Sequence, residues 1–464
     1  MEESSNYNLS LNTLNRRGIC LILVYFMEKI MSEQDQLDRS LGPFMLWGLG
    51  VGYVISGMYF GWNLGLPAGG TLGLAIATFF IIIMYVCFTF SYTELACAIP
   101  KAGGAFDYAH RAFGENIGFL GGMAQNIEFI FAPPAIAYAI GAYLVNWFPA
   151  VGIIPIAIIA YCIFTGINIF GVKTAAIFEL VVTIIAVLEL LLFAGITLPH
   201  FEMVNLTTNP LPNGYSGVFA AIPFAIWFFL AIEGVANVAE ETINPQRNVL
   251  IGFGSAIVTL VILCLLTFTS AVGVNGWEPI VFEPGSITPS DSPLPLALAH
   301  IVGKDSAMMH LLIGIGIFGL VASFHGIILA AGRATFEFGR IGFAPKMLGT
   351  THSKFKTPMK ALLLNMTIGI LAILTGQTGD IITIACFGAL ALYIISMLSF
   401  FKLRKHEPQL ERPFKVPGYP IVPGLALVIA SVSFVAMSYH NMKVALIFFA
   451  IMGVSFGIFK LAKK

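Results

Sequence analysis

The sequence predicts an all-α integral membrane protein of about twelve transmembrane helices. Three observations carry this. Of 464 residues, 58% are hydrophobic and only 10% charged, far from the composition of soluble domains. Apolar stretches of about 20 residues, the length that crosses roughly 30 Å of hydrocarbon, recur from Phe44 almost to the C-terminus. The cations fall almost wholly on one side of the resulting weave.

Taken in order, the predicted spans are 44–67, 71–99, 116–146, 151–170, 174–198, 215–240, 249–274, 307–334, 359–376, 379–401, 420–438 and 443–461. Residues 1–43 precede them as an N-terminal segment. Within it, Gly18 to Met27 is apolar but too short to span and is followed by Glu28 and Lys29. Translation from Met31 is therefore expected, with Ser32 to Leu41 as a polar lead into span 1; N-terminal sequencing of the natural protein checks this. A core of ten helices covers 44–401, in two halves of five (44–198 and 215–401). Residues 402–464 add spans 11 and 12 and a tail. The longest connection, about Asn275 to Asp305, is rich in Pro and Ser.

An even number of spans puts both termini on one side. With that side cytoplasmic, only Lys304 and Lys443 fall outside, and 22 of the 24 Lys and Arg fall inside, as the positive-inside rule requires. Net charge is zero, so nothing points to nucleic acid. The six cysteines lie in or beside spans or on the inner side. Their spacing suggests neither a disulfide framework nor a metal site.

Two spans carry small or polar residues where lipid-facing helices would not. Span 1 reads Val54-Ile55-Ser56-Gly57-Met58 and span 6 reads Phe229-Leu230-Ala231-Ile232-Glu233-Gly234. They head the two halves, and paired interruptions of this kind mark inverted-repeat transporters that bind substrate near the bilayer midplane. A tight helix crossing is the alternative for Ser56 and Gly57. A charge such as Glu233 at mid-membrane costs about 2.5–3.5 kcal/mol, so it persists where it faces a cavity or a partner.

Four separated motifs resemble the amino acid, polyamine and organocation (APC) superfamily. The most specific is Tyr92-Thr-Glu94-Leu95-Ala-Cys-Ala-Ile-Pro100-Lys101-Ala-Gly103-Gly104-Ala-Phe-Asp-Tyr108, continuing to Arg111-Ala-Phe113-Gly114. The others are Asn168-Ile-Phe-Gly171-Val172-Lys173, Ala239-Glu240-Glu241-Thr-Ile-Asn244-Pro245 and Arg412-Pro413-Phe414-Lys415-Val-Pro417-Gly-Tyr-Pro420. The resemblance runs from about Leu41 to Lys464 and implies a LeuT-like fold: a 5+5 inverted repeat with discontinuous helices 1 and 6, plus helices 11 and 12.

Within that superfamily the chain looks most like the ethanolamine permease branch. Amino acid carriers of the superfamily hold a carboxylate on backbone amides of small residues, which here match Ser56, Gly57 and Met58; a Met side chain crowds such a nest. A second close-approach glycine matches Ala231. The other side is acidic: Glu233 lies at the span 6 interruption, and Gln125 and Glu128 share a face of span 3, three residues apart. The resemblance assigns gating to Trp227, a ring able to make a cation-π contact, and Tyr53 is a second aromatic of that kind. Tyr53, Ser56, Gly57, Gln125, Glu128, Trp227, Ala231 and Glu233 are thus the expected substrate-binding residues.

Many relatives carry a helix 5 lysine in place of a sodium ion; the matching residue is Ala186. Glu189, one turn further, and His325, flanked by Ser323 and Gly326, are the proton-coupling candidates. Glu179, also in helix 5, reads either as a second intramembrane carboxylate able to bind or relay protons or as one near the inner interface, and Arg333, Lys354 and Lys356 read as orienting cations. Asn205-Leu206-Thr207 matches a glycosylation sequon by so short a pattern that it carries no weight.

The sequence thus predicts a secondary transporter of the cell (inner) membrane that imports ethanolamine by alternating access. An amino acid or polyamine permease is the alternative. Coupling is to protons, with sodium as the other ion. No metal cluster, nucleophile motif or phosphate loop suggests an enzyme, and no cofactor is implied. The partners are the amine and the bilayer, as monomer or homo-oligomer.

Overall fold

A computed structural model describes residues 39–101, 103–170, 175–304 and 306–463, side chains 175–176 excepted. The expected start at Met31, Cys20, most of the segment 1–43, and Gly171, Val172 and Lys173 of the second motif lie outside the described residues.

Span 1 opens at Pro43, whose missing N–H costs nothing in a first helical turn, and runs as α1 (Pro43–Val54) and α2 (Ser56–Tyr59). The helix divides at Ile55, inside the expected stretch, where Ser323 bridges the Ser56 amide and the Gly52 carbonyl. Ser56, Gly57 and Met58 form a further helical turn, which ends at Phe60, which is extended, and Gly61, whose φ of 87° is open only to glycine without strain. A 3-10 turn, Trp62–Gly65, leads into α3 (Leu66–Ala98), which kinks at Gly70 and continues as span 2. The short α4 (Ala105–Phe113) precedes α5 (Glu115–Leu144, span 3), α6 (Ile153–Phe170, span 4) and α7 (Ala175–Thr197, span 5).

Span 6 breaks where the sequence places it. α8 (Ile222–Trp227) stops, Ala231 adopts a left-handed φ of 74°, and the chain resumes as a 3-10 helix, Ile232–Glu241. Then follow α9 (Pro245–Asn275, span 7), the short α10 (Pro293–Val302) in the long connection, α11 (Ala307–Arg340, span 8), α12 (Met359–Ile373, span 9), α13 (Thr378–His406, span 10), α14 (Ile421–His440) and α15 (Met442–Ala462).

Among the described residues ten helices are long and apolar enough to cross a membrane. The expected twelve are completed by the broken span 1 and by α12, whose 15 residues fall short of a full crossing. The chain is a multi-pass membrane protein. The most apolar windows of α5 and α13 are 78% buried, whereas those of α14 and α15 are 28% and 22% buried. Span 6 is buried still more, at 89%, so spans 3, 6 and 10 form the centre, and spans 11 and 12 lie at the periphery.

One end is tied together by ion pairs. Glu94, 1% exposed, accepts from Arg404 Nε and Nη2 at 2.8 and 2.6 Å and from the Val416 amide at 2.7 Å, with Arg412 3.3 Å away. Arg111 pairs with Glu407 at 2.6 Å. The cations between spans 2 and 3 and between spans 10 and 11 thus gather at one end of the bundle.

Candidate functional site

The two breaks meet. A Cβ on Gly57 would collide with the carbonyl oxygen of Trp227, and one on Gly61 with the Trp227 indole. Gly57 is therefore the glycine of a tight crossing between span 1 and the end of α8. Trp227 packs edge-on against Phe60 at 5.4 Å, and its Nε1 is buried without a partner.

Around the span 6 break stand two fully buried carboxylates, 0% exposed. Glu128 Oε1 accepts from the Ala231 amide at 3.1 Å, and Glu233 Oε2 accepts from the Tyr393 hydroxyl at 2.9 Å. The two carboxyl groups are near enough for each to bear on the other's charge. Glu128 reaches this place because Gly388 of α13 lets the α5 backbone approach too closely for any Cβ. Tyr85 of α3 completes the wall, with its hydroxyl 3.2 Å from that of Tyr393 and its ring 5.2 Å from Phe229. Among the described residues, Glu128 Oε2 and Glu233 Oε1 have no hydrogen-bond donor and no Lys or Arg accompanies the pair. Two acidic groups so placed call for a positive charge between them, whether a proton or an ammonium.

Of the residues expected here, Glu128, Ala231, Glu233 and Trp227 gather at the break of span 6, and Gly57 touches it from span 1. Gln125 is buried one turn before Glu128. Ser56 faces span 8: its amide donates to Ser323 Oγ at 2.9 Å, and Ser323 Oγ donates to the Gly52 carbonyl at 2.6 Å. Met58 is fully buried.

Tyr53 belongs to a second cluster, nearer the cation-rich end. Its ring is held between Gly234 and Gly326, where a Cβ would come within 2.8 and 2.5 Å. Beside it, His325 Nδ1 and Glu179 Oε2 lie 3.5 Å apart, both side chains buried. A small cavity of about 60 Å³ is lined by Tyr53, Glu179, His325, Val238 and the Arg333–Glu241 ion pair, which closes at 2.9 Å. Arg333 thus has a specific partner on the last turn of span 6, beyond the orienting role read from sequence.

Glu189 is separate from both clusters. It is buried within reach of Tyr59, whose hydroxyl donates to the Ala186 carbonyl at 2.9 Å. The other end is capped by the long connection: Asn63 Nδ2 donates to the Ser290 carbonyl at 2.8 Å while its Oδ1 accepts from the Gly61 amide at 3.1 Å. Thr378 Oγ1 donates to Asp291 Oδ2 at 3.1 Å, and burial pushes the Asp291 carboxyl up to about 7.

Sequence reasoning did not single out Tyr85, Tyr393 or Asp291, and for Glu179 it left open a proton-binding carboxylate and an interfacial one. A tyrosine in an apolar span gives no periodic signal. Only the facing carboxylate shows why its hydroxyl is there.

Comparison with known proteins agrees with this architecture. A family model described as amino acid permease matches residues 41–456. An uncharacterized transporter of Rhizobium meliloti is 27% identical, covering 87% of this chain and 88% of its own. A branched-chain amino acid permease of Bacillus subtilis is 26% identical (85% and 87%), as is a methylthioribose transporter of the same organism (84% and 87%).

Proposed function

This chain belongs to the amino acid permease family, a family of transporters, and we propose that it imports a small solute bearing a protonated amine, in the first reading an amino acid. The observation that carries the proposal is the facing pair Glu128 and Glu233, buried at the span 6 break with one unsatisfied oxygen each. An ammonium group supplies both the missing charge and the missing donors. Trp227 stands against both breaks with a free indole N–H, placed to cover the solute and to read an acceptor on it. The branched-chain permease among the relatives supports an amino acid as cargo.

A specific observation favours ethanolamine as a second reading. The Ser56 amide is already engaged by Ser323, the Met58 side chain two residues on is fully buried, and Ala231 occupies the left-handed position where glycine would leave room. These features reduce the backbone donors open to a substrate carboxylate. Uptake of labelled alanine, leucine, arginine, ethanolamine, choline and putrescine by the purified protein in liposomes decides between the readings. Transport of choline but of no primary amine excludes both.

Alternating access follows if the halves of spans 1 and 6 move against spans 3, 8 and 10. The cation-rich end is assigned to the cytoplasm of a cell (inner) membrane, with both termini inside. Coupling is assigned to protons, with His325 and Glu189 as candidate carriers. Uptake into sodium-free liposomes under an inward proton gradient checks this; uptake that follows sodium instead removes it.

A further inference from the structure

We infer that Glu179 and His325 form one proton-binding site beside the cavity at the cation-rich end, and that the bound proton keeps this cavity shut. The inference deepens the proton-coupling reading and rests on it for its role in transport. The pair joins two spans that face span 1: Glu179 lies on α7 and His325 on α11, 3.5 Å apart and buried. Among the described residues, neither oxygen of Glu179 nor Nδ1 of His325 has another hydrogen-bond partner.

Among the described residues, the elements packed against the pair leave it to balance its own charge. From α1 it meets Tyr53 and the Gly52 backbone; a Cβ on Gly52 would fall 2.5 Å from Glu179 Oε1. From α6 it meets the ring of Phe164. From the 3-10 half of span 6 comes Glu241, and from the end of α11 comes Arg333, which neutralise each other at 2.9 Å. One proton taken up from water, resting on His325 Nδ1 and shared with Glu179 Oε2, leaves the pair with no net charge. Loss of that proton to the cavity leaves a buried carboxylate unpaired, a state relieved only by water. Water enters where the cavity is sealed, between Arg333 and Glu241, so deprotonation favours parting of spans 6 and 8 at this end. Tyr53, wedged between Gly234 and Gly326, carries the same movement to span 1.

The test uses the full-length protein in liposomes with Val238→Cys as a reporter in the cavity wall and the native cysteines replaced. The rate of maleimide labelling is compared with and without Glu179→Gln, which cancels the intrinsic pH response of the thiol. The expected result is a ratio that rises about fivefold between pH about 5.5 and about 8.5. A ratio flat across that range overturns the inference. If Glu179→Gln does not purify as monodisperse protein, Glu179→Leu serves in the same assay, with the same two outcomes. Proton-driven uptake by the unmodified protein is measured separately. Its absence removes the coupling reading, whereas a flat ratio with uptake intact removes only this site.

Discussion

Glu128 accepts the amide hydrogen of Ala231 at 3.1 Å, so an acidic side chain of span 3 satisfies the backbone that span 6 leaves open where it breaks. The contact ties the stability of the break to the site that sits in it, because the same carboxyl group faces Glu233.

Glu233→Gln removes charge from the pair while keeping an acceptor for Tyr393. Amine uptake is expected to fall at least about tenfold, with expression and melting temperature close to those of the unaltered protein. Glu128→Gln is expected to do the same, since its amide oxygen still accepts from Ala231. Unchanged uptake in both variants shows that the amine binds elsewhere.

Ala231→Gly relieves a left-handed alanine, a strain of roughly 1–2 kcal/mol. A raised melting temperature in detergent is the expected result. Combined with Met58→Gly, it is expected to tighten binding of glycine and alanine relative to ethanolamine in competition uptake. No change in that ratio removes the argument from crowding.

Gly61→Ala acts in the opposite direction. It places a Cβ at a φ of 87° and into the Trp227 indole, so loss of about 1–2 kcal/mol from backbone strain adds to a collision. Thermal melting and uptake are both expected to decline.

Asp291→Asn tests the cap over the far end. Because burial raises the Asp291 carboxyl from 3.8 to about 7, the closed connection is favoured while this group is protonated and loses that advantage progressively as pH rises from about 4 to about 7. Hydrogen exchange across residues 282–292, corrected for its intrinsic pH dependence, is expected to quicken across that interval and to level off above it. The variant is expected to exchange slowly at every pH. A pH-dependent profile identical to that of the unaltered protein assigns the opening to another group.

Glu94→Ala leaves Arg404 and Arg412 without the carboxylate that holds them, and the Val416 amide without its acceptor. A loss of roughly 3 kcal/mol is expected, read as a lower melting temperature. Glu94→Gln keeps one acceptor for Val416 and is expected to fall between the two.

The helices themselves were legible because length and apolarity are local properties: each stretch that must satisfy its own backbone in lipid announces itself residue by residue. The weave of the cations and the broken span 6 follow from the same local reading, as does Glu233, whose charge is costly without a reason to be there. What tertiary structure decided is which buried polar group faces which. Gly57 proved to be a crossing glycine against Trp227, and beyond the division of span 1 at Ile55 the chain leaves the helix altogether at Phe60 and Gly61, where the backbone takes a positive φ. Glu179 was drawn to His325, Glu233 to Tyr393, and Glu189 to neither cluster. These pairings depend on how each helix is rotated and how closely neighbours cross. Those quantities are set by side chains far apart in the chain, and hydropathy carries no record of them.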